Sequence, residues 1–162
     1  MKDFRQEIED LILIVAREGA SDLHLTVGRH PTIRVSGSLI PIVKKPVLTP
    51  EDTLGIAMEI LNDENKKIFL EQREVDFSYN PTTDVRFRGN AFFQRGLVGV
   101  ALRLIPMTIR TPKELNLPDS LTDFVNKKQG FFLVVGPVGV GKSTTLASLI
   151  DMINHQRAEH II

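Results

Sequence analysis

The sequence predicts an α+β domain built on an antiparallel sheet, followed by the opening elements of an α/β domain. In the first part, apolar periodicities run in the order helix, three strands, two helices, three strands. In the second part, a continuous apolar run precedes a glycine-rich loop and a helical pattern, the order that begins many α/β folds. The intervening segment PMTIRTPKELNLPDS holds three prolines. We therefore expect a first domain over residues 1–106, a linker over 107–117 and a second domain over 118–162.

The first helix and the first three strands are predicted by their apolar periods. Apolar residues recur at three- and four-residue steps and Gly19 can end the helix; this stripe consists of Phe4, Ile8, Leu11, Ile12 and Val15. In SDLHLTV apolar and polar residues alternate, which is typical of a half-buried strand. The segment TIRVSGSLIPI predicts a hairpin that turns at Ser36 and Gly37.

The rest of the first domain is predicted to hold two helices and three strands. Thr49 can cap a helix whose first turn contains Pro50 and two carboxylates. A second short helix is expected after Asp63. From Val75 to Leu104 the pattern returns to strands, VDFSYN, DVRFRGNAFFQ and LVGVALRLI, separated by the turn-like PTTD and RGL.

The second domain is predicted to begin with a short helix over DSLTDFVNKKQG that ends at Gly130. The run FFLVV is apolar at every position, which favours a strand buried on both faces of a parallel sheet. The segment GKSTTLASLIDMINHQ carries apolar residues at helical spacing. The final HII indicates the first residues of another strand.

The composition excludes several classes of protein. Apolar residues make up 42% and charged residues 25% of the chain, the balance of a globular protein rather than a disordered one. Twenty basic residues cancel twenty acidic ones, so no net field favours nucleic acid. The absence of cysteine excludes disulfides and thiolate metal sites. No stretch approaches the roughly 18 apolar residues of a membrane span. We therefore expect neither nucleic-acid binding nor membrane insertion.

The stretch GPVGVGKSTT, residues 136–145, fits the phosphate-loop motif G-x-x-x-x-G-K-[ST] without a mismatch. The motif positions are Gly136, Gly139, Gly141, Lys142 and Ser143. Glycines let backbone N–H groups turn inward around a phosphate, and the helix that follows adds its positive end. The predicted ligands are ATP and Mg²⁺. The alternative is a glycine turn that holds no ligand.

Each residue of this phosphate loop has an expected role. Lys142 would bridge the β- and γ-phosphates as a catalytic residue, and the Ser143 hydroxyl would ligate Mg²⁺. Thr144 or Thr145 would contact the α-phosphate. The intervening Pro137, Val138 and Val140 complete the nucleotide-binding loop through their backbone.

Several motifs in order give the chain a family resemblance. With EGASDLHLTVGRHPTIRVSGSL, RFRGNAFFQRG, LRLIP and GPVGVGKSTTLASLIDMIN, the chain resembles the twitching-motility ATPases, the PilT-type retraction motors of type IV pili. These belong to the type II and type IV secretion ATPase superfamily. The resemblance implies a PAS-like N-terminal domain, a RecA-like P-loop NTPase core and a ring of six identical subunits. It also implies a cytoplasmic location at the pilus base, peripheral to the inner membrane, and an inner-membrane platform protein as partner.

The chain departs from this family at its end. Members of the family continue past HII into an acidic general base, a Walker B region and histidine-containing motifs. None of these is in the 162 residues. We therefore expect the RecA-like domain to be truncated and the chain to have little ATPase activity by itself. A secretion or pilus-assembly ATPase and a non-enzymatic, nucleotide-responsive PAS-like module are the alternatives.

Four arginines cluster in the last two strands of the first domain: Arg86, Arg88, Arg95 and Arg103. By themselves they are typical of solvated basic residues on a sheet surface. The resemblance implies instead that arginines of this region reach the nucleotide phosphates. Arg88 and Arg103 are the first candidates for this catalytic role and Arg95 the third. Asp22 and His24, in SDLHL, are interpreted as polar residues that pin the domain rather than as catalytic ones.

Overall fold

The computed structural model describes residues 2–137 and 140–162. The chain forms two compact units, the first ending at Met107 and the second spanning Thr108–Ile162. The first unit contains α1 (Phe4–Arg17), β1 (Asp22–Thr26), β2 (Thr32–Val35), β3 (Ser38–Pro41), α2 (Pro50–Ile60), α3 (Asp63–Gln72), β4 (Glu74–Thr82), β5 (Val85–Gln94) and β6 (Leu97–Ile105). The second contains a 3₁₀ helix (Asp119–Asn126) and α4 (Lys142–Gln156). The predicted element order of the first unit is confirmed.

All six strands of the first unit form one antiparallel sheet in the order β3-β2-β1-β6-β5-β4. Strands that are consecutive in the sequence pair within β1–β3 and within β4–β6. The central pairing joins the first strand of the unit to its last strand. Strand β1 pairs with β6 so that Leu23 lies opposite Leu102 and Asp22 lies opposite Arg103. This pairing merges a three-stranded N-terminal part and a three-stranded C-terminal part into a single sheet.

The hydrophobic core lies on one face of this sheet. Alternation along β1 and β6 points Leu23, Leu25, Val100 and Leu102 to the same side, and each is at most 2% exposed. The apolar faces of α1, α2 and α3 bury into the same cluster. The opposite face, called the open face below, carries the polar alternates of the strands: Asp22, His24, Arg34, Asp76, Arg86, Arg88, Asn90 and Arg103.

Two tight turns and two prolines shape the sheet. Ser36 and Gly37 have φ angles of 48° and 85°, and Arg95 and Gly96 have 52° and 79°. Positive φ at both central residues matches the turn that suits two-residue hairpins, and the paired strands flank each turn directly. The edge strands β3 and β4 contain Pro41 and Pro81. Because proline has no backbone N–H, these positions offer no donor to an additional strand.

The start of α2 is fixed by a reciprocal cap. The Thr49 hydroxyl accepts a hydrogen bond from the Asp52 N–H, and the Asp52 carboxylate accepts one from the Thr49 N–H. The ammonium of Lys2 lies 2.7 Å from the same carboxylate. Burial alone would raise the pKa of Asp52, but these hydrogen bonds hold it below its ordinary value. The helix start predicted at Thr49 is confirmed.

Three predictions for the second unit are wrong. FFLVV forms no strand, the residues of HII form none, and the helix predicted to reach Gly130 is a 3₁₀ helix that ends at Asn126. A strand needs a hydrogen-bonded neighbour, and the described residues of this unit contain no strand that could pair with these runs. Apolar side chains are consequently exposed, with Phe131 at 90% and Val135 at 78%.

The close approach of β4 to β5 generates a stability prediction. A Cβ added at Gly89 would lie 2.4 Å from the buried Phe77 ring. Gly89→Ala should therefore lower the free energy of unfolding by about 1–3 kcal/mol, measured by urea denaturation. Gly99→Ala is the matched control, because its Cβ would meet Phe92, which lies on the open face and can rotate into solvent. Equal losses in both variants would contradict this interpretation.

Candidate functional site

The phosphate loop of the second unit has the backbone of an anion site at its end. Gly141 precedes α4 with φ 90° and ψ 15°, a left-handed conformation that glycine adopts without a Cβ penalty. Among the described residues, no side chain caps the start of α4. The first backbone N–H groups of a helix have no partner within the helix, and the positive end of its dipole favours an anion. Val138 and Gly139, two of the predicted loop residues, lie outside the described residues.

Lys142 is the first residue of α4 and its side chain folds back over the loop. The Lys142 ammonium donates hydrogen bonds to the carbonyls of Gly136 and Pro137 at 2.8 and 2.6 Å. Gly136 has φ 157°, which lets the backbone turn at this point. The cation is therefore held against the backbone of the loop that precedes α4. This combination fits a phosphate group with several negative oxygens.

The hydroxyl residues after Lys142 lie in the first turn of α4. Ser143 and Thr144 are exposed, and Thr145 is half-buried. A hydroxyl such as that of Ser143 suits a Mg²⁺ ion that is held mainly by phosphate oxygens. Among the described residues, no cluster of three or more His, Asp or Glu side chains could hold a metal ion. Any Mg²⁺ here would therefore depend on the nucleotide.

The helix that carries these residues is held from its opposite end. Leu149 is buried in α4, and Val125 of the 3₁₀ helix is 2% exposed. After α4, the Arg157 guanidinium donates a hydrogen bond to the Val125 carbonyl at 2.9 Å. The 3₁₀ helix therefore supports α4 within the second unit.

In the first unit, Arg88 and Arg103 are direct cross-strand neighbours on the open face. These two residues are called the arginine pair below; their side chains are 71% and 70% exposed. Arg86 is exposed on the same face of β5. Arg95 lies in the turn at the opposite end of β5, about 23 Å from Arg88 along the strand. The fold thus brings two of the three candidate arginines together and separates the third.

Carboxylates flank the arginine pair on both sides. Asp22 Oδ1 lies 2.9 Å from Nε of Arg103, and Asp22 Oδ2 lies 3.2 Å from Nε of Arg34. On the other side, Asp76 Oδ2 lies 3.5 Å from Nη2 of Arg88. Along the row Arg34, Asp22, Arg103, Arg88 and Asp76, charges of opposite sign are neighbours except within the arginine pair. Direct neighbours of like charge weaken a sheet, so this exception is a point of electrostatic strain.

Asp22 stays ionised although its side chain is only 9% exposed. Burial would raise the pKa of its carboxyl, but hydrogen bonds from Ser21 and Arg103 and the charges of Arg103 and Arg34 outweigh burial and lower the pKa. The Ser21 hydroxyl donates at 2.7 Å. Asp22 therefore joins β2, β1 and β6 through charged partners.

His24 lies two residues further along β1 on the open face. Its Nε2 atom is buried and has no hydrogen-bond partner among the described residues. Burial lowers the pKa of His24, and the charges of Arg34 and Arg103 lower it further against the opposing effect of Asp22. The neutral imidazole is therefore the favoured form in the folded state.

Arg34 and Asp76 are members of this cluster that the sequence did not single out. Both occupy strand positions that alternate with apolar residues, so their face could be predicted. Their partners depend on which strands are neighbours, and that order is a property of the whole sheet. The local sequence carries no signal for it.

Comparison with known families adds the decisive observation. The family model for type II/IV secretion system proteins matches residues 4–162. The chain belongs to this family. The resemblance found in the ordered motifs is thereby confirmed.

Two members of this secretion-system family from Pseudomonas aeruginosa illustrate the relationship. The type IV pilus ATPase PilU and the type IV pilus retraction ATPase PilT are each 38% identical to the chain over 156 residues. Each alignment covers 96% of this chain, but only 41% of PilU and 45% of PilT. The chain therefore spans less than half the length of these two relatives.

Two solved structures share the fold of the chain. The crystal structure of the pilus retraction motor PilT with bound ADP superposes with a TM-score of 0.78 at 42% identity, covering 94% of this chain and 44% of that one. The Legionella pneumophila ATPase DotB superposes with a TM-score of 0.77 at 24% identity, covering 91% of this chain and 42% of the DotB chain.

In the described part of the chain, the helices are too short or too polar to span a membrane.

The buried imidazole generates a pH prediction. Because the folded-state pKa of His24 is lowered, the unfolded chain binds a proton at His24 more readily as the pH falls below about 6.5. The stability of the chain should therefore fall between pH 7.5 and pH 5, measured by thermal unfolding. The Asp22 contribution is constant in this window, because a lowered carboxyl pKa removes stability only as the pH falls below about 4.

The matched variants are His24→Gln, which should flatten this slope, and His160→Gln, which changes an exposed histidine and should leave it unchanged. A slope that persists in His24→Gln would contradict the assignment.

Proposed function

We propose that this chain is the amino-terminal part of an ATP-hydrolysing PilT-type motor that drives the retraction of type IV pili. The phosphate loop carries the proposal: a complete motif precedes α4, and the Lys142 ammonium lies over the loop, on the Gly136 and Pro137 carbonyls. The PilT structure with bound ADP supports it, since the two chains are 42% identical. In this proposal the first unit is a PAS-like domain and the second is the beginning of a RecA-like ATPase core.

The proposed motor is a ring of six identical subunits. It works in the cytoplasm at the pilus base, peripheral to the inner membrane, and its partner is an inner-membrane platform protein. A pilus role is favoured over secretion because PilU and PilT, both type IV pilus ATPases, each match at 38% identity. Retraction is favoured over pilus assembly because PilT is a retraction ATPase. In this proposal the full-length protein is this chain together with the rest of the ATPase core.

The phosphate loop binds and orients ATP. Backbone N–H groups at the start of α4 would hold the β-phosphate, and the Lys142 ammonium would leave the Gly136 and Pro137 carbonyls to bridge the β- and γ-phosphates. The Ser143 hydroxyl would hold Mg²⁺, and Thr144 or Thr145 would contact the α-phosphate. Bound Mg²⁺ would neutralise charge on the phosphates during transfer.

The arginine pair supplies the second part of the mechanism. Arg88 and Arg103 place two exposed cations side by side at a cost to the sheet, and an anionic ligand would remove that cost. We propose that in the assembled ring they stabilise negative charge on the phosphoryl group in the transition state. An arginine in this role contributes about 10³–10⁵ in rate in other nucleotide hydrolases.

Replacing the loop lysine tests the nucleotide site. In the full-length protein, Lys142→Ala should greatly weaken ATP binding or abolish hydrolysis, because the charge that bridges the phosphates is lost. Lys128→Ala, which removes an exposed lysine of the same unit, is the control. Binding is measured by calorimetry and hydrolysis by phosphate release. Normal ATP turnover in Lys142→Ala would contradict the proposed role of Lys142. Tight ATP binding without turnover in the unmodified full-length protein would favour a nucleotide-responsive module instead of a motor.

Replacing the arginines tests the second part. Arg88→Ala or Arg103→Ala should lower kcat of the full-length protein at least about tenfold with a smaller change in KM, because the charge acts in the transition state. Arg86→Ala and Arg95→Ala are the controls, since one is a neighbour on the same face and the other lies at the far end of β5. A folded Arg88→Ala/Arg103→Ala double variant with normal turnover would show that both are ordinary surface charges.

A further inference from the structure

We infer that Asp22 is a positioning residue that fixes the orientation of the Arg103 guanidinium for its action on the phosphates of ATP. The inference rests on the proposed function, in which Arg103 stabilises transition-state charge. It adds a residue that touches no substrate and acts only through Arg103.

The first observation is the geometry of the contact. Asp22 Oδ1 accepts a hydrogen bond from the Nε–H of Arg103 at 2.9 Å. The two terminal nitrogens of Arg103 have no hydrogen-bond partner in the described part of the chain. The carboxylate therefore holds the guanidinium by its inner edge and leaves the outer edge, which suits a phosphate, free for a ligand.

The second observation is how firmly the carboxylate itself is held. The Asp22 side chain is only 9% exposed, whereas the Arg103 side chain is 70% exposed. The Ser21 hydroxyl donates to Asp22 Oδ2 at 2.7 Å, and Arg34 lies 3.2 Å from the same oxygen. Asp22 is also part of the central β1–β6 pairing, directly opposite Arg103. A buried anion can restrict a long, exposed side chain because Ser21, Arg34 and its place in β1 hold Asp22 independently of the Arg103 side chain.

The two arginine partners of Asp22 differ in what their free nitrogens do. Arg34 also donates from Nη1 to the Gly37 carbonyl at 3.1 Å, which ties it to the β2–β3 turn. Its side chain is 35% exposed, half the exposure of Arg103. Arg34 therefore completes a local structure, whereas Arg103 presents unused donors to solvent. This difference makes Arg34 the internal control for the carboxylate that both arginines share.

The third observation is the like charge beside Arg103. Arg88 stands directly across from it on β5, and repulsion between the two cations would turn a mobile Arg103 side chain away. Attraction to Asp22, on the opposite side of Arg103, acts in the same direction, so both charges hold the guanidinium toward β1 and the carboxylate fixes where it stops. Loss of Asp22 should therefore leave the Arg103 charge present but wrongly placed, and a misplaced catalytic group lowers kcat more than KM.

A double-mutant cycle in the full-length protein tests the inference. Asp22→Ala should lower kcat about tenfold with little change in KM. In an Arg103→Ala background, Asp22→Ala should cause no further loss, because the group on which it acts is already absent. Asp22→Asn keeps an oxygen that can accept the Nε–H of Arg103, so its kcat should fall less than that of Asp22→Ala. Arg34→Gln removes only one of the contacts that hold Asp22 and leaves the Asp22–Arg103 hydrogen bond in place, so its kcat should fall less than that of Asp22→Ala.

Melting temperatures of all variants separate positioning from folding. If Asp22→Ala does not fold, the same cycle is run with Asp22→Asn and Arg103→Ala. Equal fold-losses from the Asp22 substitution in both backgrounds, or an Arg34→Gln loss as large as that of Asp22→Ala, would overturn the inference and leave the proposed function intact. Unchanged kcat in Arg103→Ala would overturn the proposed role of Arg103, and the inference with it.

Discussion

The antiparallel pairing of β1 with β6 is the constraint on which the first unit depends. It joins residues as far as 81 positions apart and converts a hairpin-bearing N-terminal part and a C-terminal meander into one sheet. On one face it brings Leu23 and Leu102 together beneath the helices, where both are at most 1% exposed. On the other face it places Asp22 against Arg103. The core and the charged cluster therefore arise from the same register, and a slip by one residue would exchange them.

The same register determines the order of charged side chains across the open face. From β2 to β4 the side chains read Arg34, Asp22, Arg103, Arg88 and Asp76, so charges alternate except at the arginine pair. A sheet under selection for stability alone gains nothing from two adjacent cations. In the proposed function, an anionic ligand of the assembled motor accounts for the arginine pair.

Local signals made most elements of the first unit predictable, whereas long-range pairing was not. The cap at Thr49 and the glycine turns each depend on a few adjacent residues, and the structure confirms them. The partnership of Asp22 with Arg34 and Arg103 depends on strand order, which no local pattern encodes. The wrong strand prediction for FFLVV has the same cause. Its apolar run predicts a buried segment, but a strand also needs a neighbouring strand to pair with, and the run itself does not show whether one is present. The phosphate-loop motif could be recognised because its residues are contiguous in sequence, and its ligand stays a prediction.

Holding phosphate and hydrolysing it are separate tasks in this mechanism. We propose that the chain contributes the loop and the arginine pair, and that water activation belongs to the rest of the full-length protein. The most direct test is steady-state ATPase turnover per subunit of residues 1–162 beside that of the full-length protein. Turnover near background for residues 1–162 and robust turnover for the full-length protein are expected, since the attacking water must be positioned and the developing charge stabilised together. Comparable turnover in the two proteins would contradict this division of labour.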